Sequence, residues 1–205
     1  MRFAQRQSGF TMIEVLITFV ILVVGLLGLI GLQARSQLAE LESYQRGQAL
    51  VLLQDMVDRI NANRIGAKNQ SYVTSTPVGG GGALTDCSTK TAQADIDLCD
   101  WGNELIGAAE VTQGGSCTTA SGANCIGAML GARGCVAYDT TPELTDSSGA
   151  AIAGTGVQTI TVAWQGIAPT VAPPSSITCG QGSYASEAQR RVVTATMRVA
   201  ALTAK

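Results

Sequence analysis

The sequence contains no histidine among its 205 residues. This absence excludes Ser-His-Asp and Cys-His catalysis and removes the commonest metal ligand. Charged residues make up only 14% of the chain, aromatic residues make up 4%, and the formal net charge is -2. Nucleic-acid binding needs a basic face, and single-strand binding also needs aromatic rings, so both are disfavoured. We therefore expect a protein that is not an enzyme, has no cofactor and does not bind nucleic acid.

The six cysteines lack the spacing of a metal site, because no Cys-x-x-Cys pair exists. An even number of cysteines in an exported region instead predicts disulfides, formed in an oxidising compartment. Six cysteines allow 15 pairings, and the sequence alone cannot choose among them. Our working set consists of two bridges that close short loops and one that ties segments flanking a predicted strand: Cys87 with Cys99, Cys117 with Cys125, and Cys135 with Cys179.

One long hydrophobic run dominates the N-terminal part of the chain. Residues 10–32, FTMIEVLITFVILVVGLLGLIGL, carry a single charge and are long enough to cross a bilayer as a helix. Residues 1–9 contain two arginines and no acid, which predicts that they stay cytoplasmic while the C-terminal part crosses the membrane. An ordinary secretory signal has a shorter apolar core and a cleavage site after it. Any cleavage here must therefore precede the run.

Glu14 is the single charge in the hydrophobic run. A carboxylate inside a membrane span costs on the order of 3 kcal/mol on insertion scales, so it needs a partner. A positive charge at the same depth is the obvious candidate. A plain signal anchor is the alternative interpretation of this segment, and it leaves Glu14 unexplained.

The residues QSGFTMIEVLITFVIL resemble the type IV prepilin signature, in which a short basic leader and a glycine precede Phe-Thr-Leu-Ile-Glu and an apolar helix. Met12 stands where leucine is usual. The resemblance implies that an inner-membrane peptidase cleaves after Gly9 and methylates the new amine of Phe10. It also implies that Glu14 neutralises the N-terminal amine of a neighbouring subunit during assembly. Loss of the leader would leave 11 basic against 15 acidic side chains.

The helical pattern continues beyond the span. Residues 33–65 are amphipathic, and no proline interrupts residues 10–64, so we expect one helix of 55 residues, about 80 Å long. Gly25, Gly28 and Gly31 permit close helix packing, and the resemblance suggests local unwinding near Gly31 in a filament. A sheet is expected to cover the apolar stripe of the amphipathic part: Leu38, Leu41, Gln45, Ala49, Leu52, Leu53, Met56 and Ile60.

Residues 66–205 are expected to form an extracytoplasmic globular head. Residues 66–83 are interpreted as a flexible glycine-rich connector, and residues 91–105 as a short acidic helix. Alternation predicts strands at 157–164 and 191–199, and a shorter one at 135–138. The predicted fold class is α+β and type IV pilin-like: a long N-terminal hydrophobic and amphipathic helix packed on a C-terminal antiparallel sheet with disulfide-stapled loops.

We assign no binding site to two groups of charged residues in the head. The carboxylates of Asp95, Asp97 and Asp100 could suggest calcium, but the glycine turn and terminal glutamate of an EF-hand loop are absent. We interpret them as a solvated helix face. Arg190 and Arg191 could bind an anionic partner, but basic residues entering a strand more often face solvent or protect a sheet edge.

Parts of the head resemble PilV-type minor pilins. In that family a helix of the form A-x-x-D-L-x-x-W-x-x-x-L follows a cysteine, and the segments GCVAY, ITVAWQG, ITCG and QRRVV match its C-terminal half in order. The helix pattern is matched by Ala94, Asp97, Leu98, Trp101 and Leu105.

This resemblance implies a minor pilin that takes part in initiating type IV pilus assembly, in a minor-pilin complex at or near the tip, and supports twitching motility and adhesion. Expected partners are other minor pilins, the major pilin, the prepilin peptidase, the inner-membrane assembly machinery and, as a further candidate, a tip adhesin. The protein would lie in the inner membrane with a periplasmic head, then in the extracellular pilus. The alternatives are a minor pseudopilin of type II secretion, which shares the signature, and a pilus-borne binding module.

Overall fold

The structure, a computed structural model, describes residues 9–80, 84–108, 127 and 129–200. The chain divides into two compact units, Met1–Leu41 and Glu42–Lys205. In chain order, the helices are α1 (Met12–Ala62), α2 (Arg64–Lys68), α3 (Gln93–Ile106) and a 3-10 turn (Glu187–Gln189), and the strands are β1 (Val78–Gly79), β2 (Leu130–Asp139), β3 (Val157–Gln165) and β4 (Arg190–Arg198).

Helix α1 confirms the predicted long helix. It runs for 51 residues without a break, including at Gly31. The described residues of the first unit are all exposed, and an 18-residue window has a mean hydropathy of 3.0, so the helix is long and apolar enough to cross a membrane. The helix ends at Ala62 because Asn63 caps α2 instead: the Asn63 side chain accepts a hydrogen bond from the Gly66 backbone N–H at 3.1 Å.

The second unit contains an antiparallel sheet of four strands in the order β1-β2-β3-β4. The head-facing part of α1 shares one hydrophobic core with α3 and the sheet. The predicted apolar stripe is confirmed where it lies in this unit, since Ala49, Leu53, Met56 and Ile60 are buried. Leu38 and Leu41 belong to the first unit and are 44% and 53% exposed.

Trp101 fastens α3 to α1 and to the sheet. Its indole Nε1 donates a hydrogen bond to the Leu52 carbonyl at 2.9 Å, and its ring is fully buried. The ring lies directly over Gly134 of β2, where a Cβ atom would collide with it. Glycine at this position therefore lets the largest side chain of the core approach the sheet.

Asp97 contradicts the expectation of a solvated carboxylate face on α3. Its side chain is only 6% exposed, accepts a hydrogen bond from Gln93 at 2.8 Å and accepts another from the buried hydroxyl of Tyr72. The helical period puts position 97 in line with the buried Ala94 and Trp101. Asp97 is tolerated in the interior because both carboxylate oxygens have a donor.

The interpretation of residues 66–83 as a flexible connector is wrong for most of its length. After α2, the segment returns along the outer edge of β2: the Thr74 N–H donates to the Val136 carbonyl at 2.9 Å and the Gly80 N–H donates to the Ala132 carbonyl at 2.7 Å. Val78 and Gly79 form β1 between them. Residues 81–83 lie outside the described part. The segment thus covers one sheet edge.

Disulfides join Cys87 to Cys99 and Cys135 to Cys179, which are two of the three expected pairs. The expected pair of Cys117 and Cys125 lies outside the described residues. The Cys87–Cys99 bridge ties the segment before α3 to that helix. The Cys135–Cys179 bridge holds the loop between β3 and β4 against β2.

Arg190 also differs from its expectation, because its side chain is 1% exposed rather than solvated. Its Nε lies 2.6 Å from a carboxylate oxygen of Glu187, and its Nη1 donates to the carbonyls of Ile177 and Cys179 at 2.8 and 3.2 Å. These two carbonyls lie in the irregular loop between β3 and β4, and no backbone N–H of the described residues donates to them. The guanidinium supplies the donors they need.

Tyr72→Phe tests the link between α3 and the segment after α2. We expect a loss of about 1–3 kcal/mol at neutral pH, because Asp97 loses a buried donor. Burial and the bond to Asp97 raise the pKa of Tyr72 from 10 to about 12. The folded protein therefore holds this proton more tightly, and the associated stability is lost as the pH rises from 10 to 12.

The measurement is the free energy of unfolding of the full chain in detergent, followed from neutral pH to pH 12. The variant should show a shallower fall between pH 10 and 12 than the wild type. Tyr44→Phe is the matched control, since Tyr44 is 55% exposed, and it should behave as wild type. Equal stability of Y72F and Y44F at neutral pH would contradict the role given to Tyr72.

Candidate processing and assembly site

The first residues of the described chain form a short non-helical segment before α1. Gly9 and Phe10 precede the helix, and the Thr11 carbonyl accepts the first helical bonds, from the N–H groups of Glu14 at 3.1 Å and Val15 at 3.4 Å. Apart from its chain neighbours, no described residue has an atom within 4 Å of where a Cβ of Gly9 would stand, and Phe10 is 85% exposed. The backbone at Gly9 is therefore open to an enzyme.

Glu14 occupies the first turn of α1. A carboxylate is favoured there by the helix macrodipole, and Thr11 and Glu14 have the spacing of a capping box. Phe10 and Glu14 line one open groove together with Val15 and Thr18. The groove places the Glu14 carboxylate on the same side as Phe10, one helical turn from the Gly9–Phe10 bond.

The two polar side chains of this groove, Thr18 and Glu14, differ in whether they have a partner within the chain. The Thr18 hydroxyl donates to the Val15 carbonyl at 2.8 Å, so it is hydrogen-bonded within its own helix, as an apolar setting requires. Glu14 is exposed, and no described residue forms a salt bridge with it. Its carboxylate is available to a partner from another molecule.

A second charged cluster lies in the head and has a structural explanation. Arg59 of α1 contacts Asp55 at 2.7 Å and Glu104 of α3 at 2.8 Å. Burial acts to lower the pKa of Arg59, but the hydrogen bond to Asp55 and the charge of Glu104 outweigh it, so the pKa is raised. Burial raises the pKa of Glu104. The cluster joins α1 to α3.

The structure thus brings Gly9, Phe10 and Glu14 together at the start of α1 and places the four described cysteines, Cys87, Cys99, Cys135 and Cys179, in the head. The sequence predicts a solvated helix face for Asp97 and a solvated or edge-protecting position for Arg190, whereas both are buried and hydrogen-bonded in the head. The signal for Asp97 was present, because it shares a helical stripe with Trp101. Among the described residues, no three His, Cys, Asp or Glu side chains are grouped so that they could hold a metal ion.

Comparison with known proteins agrees with this geometry. A family model described as the prokaryotic N-terminal methylation motif matches residues 4–30, a range that contains Gly9, Phe10 and Glu14. No curated protein and no solved structure gives a significant match to the chain. The motif and the α+β fold support a type IV pilin-like protein, either a pilin or a pseudopilin.

Several general properties follow from this class. The motif implies processing by a prepilin peptidase and partners in filament assembly. The apolar helix and the motif fit membrane anchoring followed by incorporation into a filament. The type IV pilin family is structural and non-enzymatic.

Gly9→Val tests the cleavage site. A branched side chain restricts the backbone at the bond to be cut and fills the open space at Gly9, so we expect unprocessed chain to accumulate. The measurement is the mass of the N-terminal peptide from membranes. Gly28→Val makes the same change inside α1, at a glycine that also has nothing within 4 Å, and should leave an N-terminus at Phe10. Normal removal of the leader in G9V would contradict the assignment.

Proposed function

We propose that this chain is a minor pilin that takes part in initiating type IV pilus assembly, in a complex with other minor pilins at or near the pilus tip. It thereby supports twitching motility and adhesion. The observation that carries the proposal is Glu14 on an apolar helix that directly follows the processing signal and continues into a disulfide-bonded head. This combination provides a filament core segment and a surface domain in one chain.

The chemistry at the start of α1 supports assembly. Cleavage after Gly9 makes Phe10 the first residue and creates a new amine, which remains cationic after methylation at neutral pH. Glu14 would pair with this amine on a neighbouring subunit. The pairing offsets the cost of an unpaired membrane carboxylate, on the order of 3 kcal/mol. Subunits would therefore enter the filament at matched depth.

The head supports a structural role outside the cytoplasm. Two disulfides staple it, and such bridges form in oxidising compartments. We propose an inner-membrane location with a periplasmic head before assembly and an extracellular location in the pilus afterwards. The proposed partners are other minor pilins, the major pilin, the inner-membrane assembly machinery and a tip adhesin.

A minor pseudopilin of a type II secretion system is the second candidate, because the methylation motif at residues 4–30 is common to both systems. The PilV-like pattern from Ala94 to Leu105 favours the pilus. A binding module carried on a pilus is the third candidate.

Deletion of the gene in its native strain distinguishes the candidates. We expect loss of sheared surface pili and of twitching, with normal type II exoprotein secretion, because filament initiation fails. Complementation with the wild-type chain should restore both. Complementation with Glu14→Ala should give a processed chain that does not restore pili, because the amine of the neighbouring subunit has no partner.

Three outcomes would contradict the proposal. Normal pili with lost secretion would make the chain a pseudopilin. Normal pili and secretion with lost attachment would favour a binding module. Full restoration of pili by E14A would show that the proposed pairing of Glu14 is wrong. Glu14→Gln is the size-matched variant, and it should fail as E14A does, because the loss of charge decides the effect.

A further inference from the structure

Strand β4 is the last strand of the sheet, and no described residue pairs with its outer edge. It is the terminal strand in the order β1-β2-β3-β4, and it is nine residues long. An edge strand of this length presents a row of backbone donors and acceptors on which another extended segment can pair. Proteins commonly shorten, cover or bulge such edges, so a long edge that no described residue covers calls for an explanation.

The register of the sheet shows which backbone groups of β4 face outward. The Gly166 N–H donates to the Gln189 carbonyl at 2.8 Å, and these residues continue the β3–β4 register. Antiparallel pairs alternate between bonded and non-bonded, so every second residue of β4 turns its N–H and C=O away from β3. Within β4 these residues are Arg190, Val192, Thr194, Thr196 and Arg198. The N–H of Arg190 already donates to the Glu187 carbonyl.

The outward groups from Val192 to Arg198 have no partner among the described residues. No backbone bond in these parts of the chain reaches them. The opposite edge of the sheet is different, because the Thr74 N–H and hydroxyl bond the outward carbonyl and N–H of Val136, and Gly80 bonds Ala132. Val136 turns its N–H and C=O away from β3, and the strand pairings carry this alternation across β3 to β4. It again places the outward groups of β4 at the even-numbered residues. Within the described part of the chain, one edge of the sheet is covered and the other has no partner.

A groove of about 380 Å³ runs beside the N-terminal half of β4, between that strand and the first turns of α1 in the head. Its wall includes Gln45, Arg46 and Val193. The Oε1 atom of Gln45 is buried and has no hydrogen-bond donor among the described residues. Arg46 is exposed and forms no salt bridge with the described part of the chain. The groove therefore offers one unused acceptor and one cation.

We propose that the outer edge of β4 binds an extended segment from the head of a different pilin-like subunit. The segment adds a fifth strand to the sheet, and one of its side chains enters the groove. A hydroxyl or amide there would donate to Gln45 Oε1, and acidic residues would complement Arg46 and the exposed Arg198. This inference rests on the proposed function, because it takes the partner to be a neighbour in the filament.

Symmetry disfavours pairing of β4 with the β4 strand of a second copy of this chain. Antiparallel β4–β4 pairing needs a twofold axis perpendicular to the sheet, which would make the two α1 helices run in opposite directions. Parallel pairing needs an axis along the strands, which would put the two helices on opposite faces of the joined sheet. Neither arrangement brings two α1 helices together in the same direction, as a filament core needs.

A photo-crosslinking amino acid at Thr196, in the full-length chain in its native strain, tests the edge directly. The expected product joins this chain to a different chain that carries an N-terminal methylation motif, identified by mass spectrometry of the adduct. The matched probe site is Thr76, an exposed threonine in the segment that covers the opposite edge. It should give no such adduct.

Thr194→Pro, made in the chain with the probe at Thr196, tests the backbone pairing. Proline at 194 removes an outward N–H and no bond to β3, so the head should still fold. The adduct yield should fall about tenfold, because the added strand loses the hydrogen bond from the residue 194 N–H and collides with the proline ring. Thr194→Val keeps the N–H and should leave the yield unchanged.

The inference is overturned by an adduct with a second copy of this chain, by an adduct with a protein that lacks the motif, or by no adduct at Thr196. It is also overturned if folded T194P and T194V give equal yields. If T194P does not fold, the identity of the Thr196 adduct still decides. Loss of pili on gene deletion together with no Thr196 adduct would leave the proposed function standing and refute the edge alone.

Discussion

The carboxylate of Glu14 in an otherwise apolar helix is the constraint on which the molecule depends. It lies in the first turn of α1 and is exposed, and an unpaired carboxylate is unfavourable in hydrocarbon. In our proposal, cleavage after Gly9 creates an amine at Phe10 that supplies a suitable cation. On this account the chain becomes stable in a membrane or filament through a neighbour.

The head has a different physical basis. Its core is small, and α1 contributes four buried side chains to it. Trp101 and the Cys135–Cys179 bridge then hold the two other layers, α3 and the loop between β3 and β4. Buried polar residues complete this arrangement, since Asp97 joins α3 to the segment after α2 and Arg190 organises an irregular loop.

Features that depend on local pattern could be predicted from the sequence. Helix α1 follows from an uninterrupted run without proline, and β3 follows from alternation that buries Ile160 and Val162. Features that depend on tertiary partners could not. Asp97 is buried because Tyr72 supplies a donor from a distant segment, and Arg190 because a loop between two strands presents carbonyls to it. The apparent connector became a sheet edge through bonds to β2, which composition does not encode.

The central claim is that this chain is cleaved at Gly9 and enters a filament through its N-terminus. The most direct test is mass spectrometry of sheared and purified surface filaments from the native strain. The account predicts peptides of the head together with an N-terminal peptide that begins at an N-methylated Phe10. Filaments that contain no peptide of this chain, or contain it with residues 1–9 still attached, would contradict the account.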